Sequence, residues 1–439
     1  MSMNNHKIIF HLDMDAFFAN CMQSRYPELK GKPVVISRDD RRSIITAASY
    51  EARKYGVKSA MPIFEAKKLC IDLIIMEPDY ALFSEISRKI WELIDKHFTP
   101  KLEIASIDEC YIDVTSSWQK FGSPKKMAEK IQETIYKELK LTCSIGISFT
   151  KFLAKMSSDM NKPNGITMLS PQLFNQKIWR LPIGQMYGVG KRTAELMTAN
   201  GILLIHDLAK AENNFLIEKF GDYAIKLKLN ALGQGSDLVK IDNNILKSIS
   251  NEITLDIFTN DINELEDKIF HIAANVSSRA VKRRMKARTV SIIIRYEEIR
   301  NKGQVFDKLD HIKTKRRQES IPEYSNDLEI IYSTAKFLFN EMYDSSKRIS
   351  LIGVGLSNLV LENSIPQQLS LWSENANLKA FKDSSKLISE INEKLGFNSL
   401  TSGKEFQKVN QSQIDNGKFL KNYDSHILNK ELRKIKKGK

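Results

Sequence analysis

Residues 105–114, ASIDECYIDV, constrain this chain more than any other stretch. The flanks are apolar and β-prone, as in a strand heading for a core, yet Asp108 and Glu109 stand side by side in the middle. Two carboxylates about 4 Å apart repel by about 4 kcal/mol even at an effective dielectric near 20. A fold that keeps them together needs protonation, an arginine partner or a divalent cation to offset that repulsion. A second acidic cluster, HLDMD, ends the apolar run IIFHLD at 8–13. If Asp13 and the Asp108–Glu109 pair meet on neighbouring strands, three hard oxygen donors converge, which is how Mg²⁺ is held with waters and substrate phosphates. Two such ions about 4 Å apart drive in-line phosphoryl or nucleotidyl transfer. A β-hairpin whose acids face solvent at alternate positions fits the same residues, and the pattern alone does not choose.

The rest of the chain narrows the setting. At 439 residues it exceeds one typical core, so two to four domains are expected. An apolar fraction of 42% with 27% charged residues belongs to a globular protein and excludes disordered and fibrous classes. No apolar run approaches the roughly 20 residues of a membrane helix. The start, MSMNNHKIIFHLDMD, lacks the features of an export signal, so a cytoplasmic protein without membrane association is expected. Cys21, Cys70, Cys110 and Cys143 are far apart and lack metal-ligand spacing; buried, reduced thiols account for them. The net charge of +14 fits a polyanionic partner, nucleic acid before an anionic membrane surface.

Periodicity places the motifs. The run at 8–13 predicts a strand followed by a helix over AFFANCMQSRY, and 80–98 and 124–140 have helical spacing. KLEIASIDECYIDV and TCSIGIS read as strands, and TKFLAKMSSDM as a helix. Around 178–240 the texture changes to short helices. From 246 to 361 the order is strand, helix (261–285), strand, strand, helix (326–343), strand, a ferredoxin-like β-α-β-β-α-β succession. After Pro366 the chain turns polar, with one helix-like stretch near 378–394 and a basic end, which predicts a mobile tail.

Five collinear motifs, HLDMDAFFANCM, SYEARKYGVKSAMP, ASIDECYID, GISFTKFLAKMSSDMNKPNG and YGVGKRTAELMTANGI, resemble the Y-family DNA polymerases over residues 6–372. The resemblance implies an α+β multidomain right hand. The palm would be 1–20 and 79–166, the fingers 21–78, a helical thumb with a helix-hairpin-helix 167–240, and a ferredoxin-like little finger 246–361. Residues 362–439 would hold a clamp-binding peptide and the tail. The implied activity is error-prone, template-directed DNA synthesis past damaged bases, by a monomer with no proofreading exonuclease. Primer-template DNA and deoxynucleoside triphosphates would be the substrates.

The same resemblance assigns residues. Asp13, Asp108 and Glu109, with the backbone carbonyl of Met14, would hold two Mg²⁺ per active site, while Asp15 and Asp113 read as structural acids. Tyr50 and Arg53, three apart and so on one helical face, would meet the triphosphate together with Lys162. Phe17 and Phe18 would both belong to the nucleotide site, Phe18 as the steric gate against a 2′-hydroxyl, although one of the two rings is expected in the core because neighbouring helical residues point about 100° apart. Gly188, Gly190 and Lys191 would approach a DNA phosphate, and Arg288, Lys315 and Arg316 would line the DNA backbone. QLSLW, through Gln368, Leu369, Leu371 and Trp372, resembles the peptide that docks into the sliding clamp.

Four positions depart from the family pattern. Thr150 before FLAK is expected to weaken a local backbone hydrogen bond. Ala47 puts one substrate contact in doubt, Cys110 is a small-for-small exchange, and Ser350 removes one expected phosphate contact. Two other classes use part of the same evidence. A nucleotidyl cyclase has palm-like acids and two metals but no use for a helix-hairpin-helix or clamp peptide. A non-catalytic DNA-binding scaffold needs the basic surfaces but not the acids.

Overall fold

The computed structural model describes residues 7–38, 43–241, 246–297 and 314–365, and the chain separates into two units at 249/250. The first unit begins with β1 (Ile9–Met14), and α1 (Phe17–Arg25) follows a left-handed Ala16. Next come β2 (Val34–Ile36), β3 (Ala47–Ala48), α2 (Tyr50–Lys54), α3 (Ile63–Leu69) and β4 (Ile74–Met76). These strands form a small sheet in the order β3-β2-β4. Then α4 (Tyr80–His97), β5 (Leu102–Ile104), β6 (Glu109–Asp113), α5 (Pro124–Leu139), β7 (Cys143–Ser148), α6 (Lys151–Ser158) and β8 (Ile166–Met168) complete a five-stranded sheet ordered β5-β6-β1-β7-β8.

The alternation along β1 decides what lies on each face of that sheet. Phe10, Leu12 and Met14 share a core with Cys110 and Ile112 of β6, Phe83, Ile90 and Ile94 of α4, and Met127, Ile131 and Ile135 of α5. Burying each of the larger side chains stabilises by about 1.5–3 kcal/mol. Both helices start cleanly: Asp79 accepts from the Leu82 N–H, and Ser123 accepts from the Lys126 N–H with Pro124 in the first turn. Ile9, His11 and Asp13 point to the opposite face, where α6 lies. Close approach there depends on Gly146, which pairs with His11 across the β1–β7 ladder. A Cβ at Gly146 would sit 2.0 Å from the Ala154 carbonyl oxygen, so a side chain would lift α6 off the sheet.

Thr150 caps α6, its hydroxyl accepting from the Leu153 N–H at 3.3 Å. Thr150 thus supplies the α6 N-cap through one long hydrogen bond. Beyond β8, five short helices, α7 (Phe174–Ile178), α8 (Lys191–Ala199), α9 (Ile205–Lys210), α10 (Asn213–Phe220) and α11 (Tyr223–Ala231), close around Met197, Ile202, Leu208, Leu216 and Leu227. Phe152, Leu153 and Met156 of α6 join that cluster.

The second unit runs β9 (Ser248–Thr259), α12 (Ile262–Lys282), β10 (Met285–Tyr296), β11 (Thr314–Ser325), α13 (Leu328–Met342) and β12 (Ile349–Leu361), the expected β-α-β-β-α-β succession. Its sheet is ordered β11-β10-β12-β9, with the second and fourth strands central and β11 at an edge. Asp261 and Asp327 cap the two helices. No described helix is long and apolar enough to cross a membrane. The four cysteines are buried and free.

Candidate active site

The β1–β6 ladder places Asp13 directly opposite Glu109. Asp108 precedes β6, and its carbonyl accepts from the Met14 N–H at 3.0 Å, which ties its backbone to the end of β1. Asp13 is only 4% exposed. Its carboxylate would be untenable alone, and two lysines balance it. Lys155 of α6 places Nζ 2.8 Å from Asp13 Oδ2 and 2.9 Å from Glu109 Oε1. Lys162 reaches Asp13 Oδ2 at 2.7 Å. Asp159 joins the ring, 3.4 Å from Lys155 and 2.8 Å from Lys162. On the same face His11 lies with Nδ1 2.9 Å from Ser158 Oγ and Nε2 3.4 Å from Glu109 Oε2.

Proton affinities follow from this arrangement. Burial pushes Asp13 up to about 6, against the pull of both lysines. Burial also opposes ionisation of Glu109, but interactions with the neighbouring His11, Asp13 and Lys155 outweigh it and hold that carboxyl below the usual range. For Lys155 burial works against the ammonium, and Asp13, Glu109 and Asp159 overcome it and raise its pKa. Burial lowers the pKa of His11, favouring the neutral ring.

The three expected metal acids are neighbours in the fold, but their carboxylates do not surround one point. Among the described residues no three His, Cys, Asp or Glu side chains do. Asp13 and Glu109 share the Lys155 ammonium, whereas Asp108 turns to its own loop and accepts from Ser106 Oγ at 2.5 Å. With lysines already supplying the counter-charge, mutual repulsion favours spreading the third acid away. The donor set still fits a hard divalent cation: Asp13 and Glu109 both reach one cation-sized position, the one Lys155 Nζ takes. Asp15 and Asp113 are structural, as expected. Asp15 accepts from Ser144 Oγ and the Asn164 N–H, both at 2.8 Å, and Asp113 accepts from the Thr115 N–H and hydroxyl.

Around the acids, Tyr50 and Arg53 share one face of α2, with the guanidinium 4.6 Å from the ring centre and Arg53 Nε donating to the Ala48 carbonyl. Burial raises the Tyr50 pKa, with further influence from Asp15, Arg53, Lys162 and Asp13, so all of these lie within electrostatic reach of its hydroxyl. Phe17 is buried in the core while Phe18 is half-buried and stacked on Phe83 at 4.5 Å, the division expected of the pair. Gly188 has φ 91°, and Gly190 precedes α8, which no side chain caps; a Cβ at Gly190 would meet nothing within 4 Å. Lys191 beside it is exposed, 3.7 Å from Glu195. A helix start of this kind can receive an anion.

Residues 12–159 match the impB/mucB/samB family and residues 246–371 match its C-terminal domain. A DNA polymerase IV of Oceanobacillus iheyensis is 34% identical over 424 residues, 96% of this chain and 97% of that protein. One of Listeria monocytogenes is 36% identical over 358 residues, 81% of this chain and 96% of its own. Among solved structures, a Y-family DNA polymerase chimera aligns with a TM-score of 0.70 at 26% identity, covering 81% of this chain and 99% of that one. The chain belongs to the Y-family DNA polymerases. As a member it is a DNA-directed DNA polymerase that depends on divalent metal, and neither the cyclase nor the scaffold reading is favoured.

In this Y-family polymerase the pleat of β11 divides the basic residues expected along DNA between two faces of the sheet. Successive residues of a strand point to opposite faces, so Lys315 and Arg316 cannot share a surface. Lys315 pairs with Ile294 and lies over the Tyr296 ring, whose hydroxyl donates to the Met342 carbonyl of α13. Arg317 takes the same side and reaches Glu341 of α13. Arg316 pairs with Ile293 on the face turned away from α13 and donates to Ser291 Oγ. Arg288 is exposed, 5.8 Å from the Tyr324 ring centre. Ser350 is buried and donates to the Arg295 carbonyl, Cys110 is buried opposite Leu12, and Ala47 is buried in β3. Gln368, Leu369, Leu371, Trp372 and the helix-like stretch near 378–394 lie outside the described residues.

Sequence reasoning missed Lys155, His11 and Asp159. Lys155 had a readable signal: inside a capped helix of TKFLAKMSSDM, a lysine four residues before an aspartate is one turn from it.

Proposed function

We propose that this polymerase extends a primer 3′ end by two-metal nucleotidyl transfer, with Asp13, Asp108 and Glu109 as the acidic ligands and the Met14 carbonyl as a further one. Two Mg²⁺ bound there would favour the 3′-hydroxyl as a nucleophile and offset the charge of the triphosphate and of the leaving pyrophosphate. The observation that supports this most is the Asp13–Glu109 pair, fixed opposite each other and already converging on one cation. Lys162, Arg53 and Tyr50 bind and orient the triphosphate, and Phe18 excludes a 2′-hydroxyl. Gly188, Gly190 and Lys191 hold one DNA phosphate, while Arg288 and Arg316 steady the backbone without reading bases. In this reading residues 1–20 and 79–166 are the palm, 21–78 the fingers, 167–240 the thumb and 246–361 the little finger. The enzyme works in the cytoplasm as a monomer, and residues 368–372 tether it to the sliding clamp, raising its effective concentration at the primer. Without an exonuclease, a geometric check worth about 4 kcal/mol gives only about a thousandfold discrimination.

Primer extension with Mg²⁺ on intact and damaged templates, with and without clamp, tests the whole reading. Template-dependent extension is expected, stimulated by clamp in the full chain and not in a chain ended at Pro366. Pyrophosphate release that needs no primer-template would point instead to a cyclase, and equal stimulation of the shortened chain would remove the clamp peptide.

A further inference from the structure

We propose that Asp159 is a positioning residue that takes over Lys155 and Lys162 when divalent cations occupy Asp13 and Glu109. The proposal rests on the metal reading above, but it concerns where the displaced ammoniums go. Lys155 Nζ sits within 2.9 Å of both Asp13 and Glu109, so it occupies the position those carboxylates offer to a cation. An ammonium and a divalent ion cannot share that position. The Lys155 side chain is 9% exposed, so it cannot retreat into water and needs another anion nearby. Asp159 is that anion. It follows the last residue of α6, one turn from Lys155, with Oδ2 3.4 Å from Lys155 and Oδ1 2.8 Å from Lys162.

Asp159 differs from the other acids of the cluster in two ways. It sits on the end of a helix and not on the sheet, so it does not face Asp13 across a strand ladder. Its side chain is half-exposed, so holding an extra ammonium costs it little desolvation. Once cations occupy Asp13 and Glu109, it would therefore hold Lys155 out of that position and Lys162 poised beside it, one of the triphosphate cations in the reading above. Without Asp159 the two ammoniums have only Asp13 and Glu109 as partners and compete harder with the metal.

Titration of the full-length chain with Mn²⁺, reading free Mn²⁺ by electron paramagnetic resonance, tests this without turnover. Asp159→Asn is expected to weaken Mn²⁺ binding roughly tenfold, the scale of losing an outer partner of a metal site. Asp159→Glu should restore it to within about twofold, since the carboxylate still reaches both lysines. In a Lys155→Met/Lys162→Met background, Asp159→Asn should change the affinity less than about twofold, because no ammonium is left to restrain. Unchanged affinity in Asp159→Asn overturns the proposal. Equal weakening with and without the lysines also overturns it, since the effect would then be the direct field of one lost charge. Thermal melts of the metal-free variants check folding, and Asp159→Ser repeats the comparison if Asp159→Asn does not fold. Mn²⁺ binding that is indifferent to Asp13→Ala would instead overturn the metal reading itself.

Discussion

The two sheets of this polymerase treat charge in opposite ways. Around β1 the charged groups are drawn inside: Asp13 and Lys155 are buried, and each has a partner of opposite sign within 3 Å. Along β11 every residue from Thr314 to Ser320 is exposed, and Lys315, Arg316 and Arg317 stand on an edge strand. Buried charges are held in fixed geometry, and burial itself shifts their proton affinity, as Asp13 pushed up to about 6 against its lysine partners shows. Exposed ones are screened by salt and contribute singly. Chemistry that needs atoms in place therefore suits the first sheet, and contact with a polyanion of any sequence suits the second.

The largest effect that would break this contrast lies in the first sheet. Asp13→Ala or Asp108→Ala should lower single-turnover incorporation by roughly a thousandfold or more, the scale of losing a stabiliser of developing charge. DNA affinity, read by fluorescence anisotropy, should stay close to that of the parent protein. Near-normal extension by either variant would separate the buried acids from the chemistry.

Next in size is the division between neighbouring rings. Phe18→Ala should relax discrimination against ribonucleotides by roughly 10- to 200-fold in competitive incorporation, since a pocket that rejects by shape alone supplies about 1–3 kcal/mol. Phe17→Ala should instead cost about 3–5 kcal/mol of stability in denaturant titration, as a buried ring lost from a core. Unchanged sugar selectivity in Phe18→Ala would return both rings to packing.

The second sheet predicts a smaller, salt-dependent effect. Arg316→Ala should reduce the slope of log affinity for DNA against log salt by about 1, as for one lost phosphate contact, and weaken all sequences alike. Lys315→Ala should leave the slope nearly unchanged, because that side chain turns to the α13 side. Equal slopes for the two variants would mean that the pleat does not sort the basic residues. The smallest expected change is Thr150→Ala, costing about 1 kcal/mol through loss of the α6 cap and readable as a lowered melting temperature.

Much of this was legible in the amino-acid order. Period-2 and helical spacing located β1, α4 and α5 and the succession of the second unit, because burial of one face imposes that spacing locally, whereas the single strand expected over 101–114 is a hairpin of β5 and β6. Glu109, an acid in an apolar strand, signalled a nearby counter-charge, whereas Asp108 lies before β6. The partner that supplies it, Lys155, and the turn of Asp108 toward Ser106 were not legible. They depend on α6 settling on Gly146 and on the register that sets Asp13 against Glu109, contacts between residues far apart in the chain. The opposite facing of Lys315 and Arg316 was likewise settled by pairing with β10. Local sequence fixes which groups are present and which way a segment curls; which charge meets which is decided only when separate elements pack, because Coulomb attraction and desolvation depend on distances that no local spacing sets.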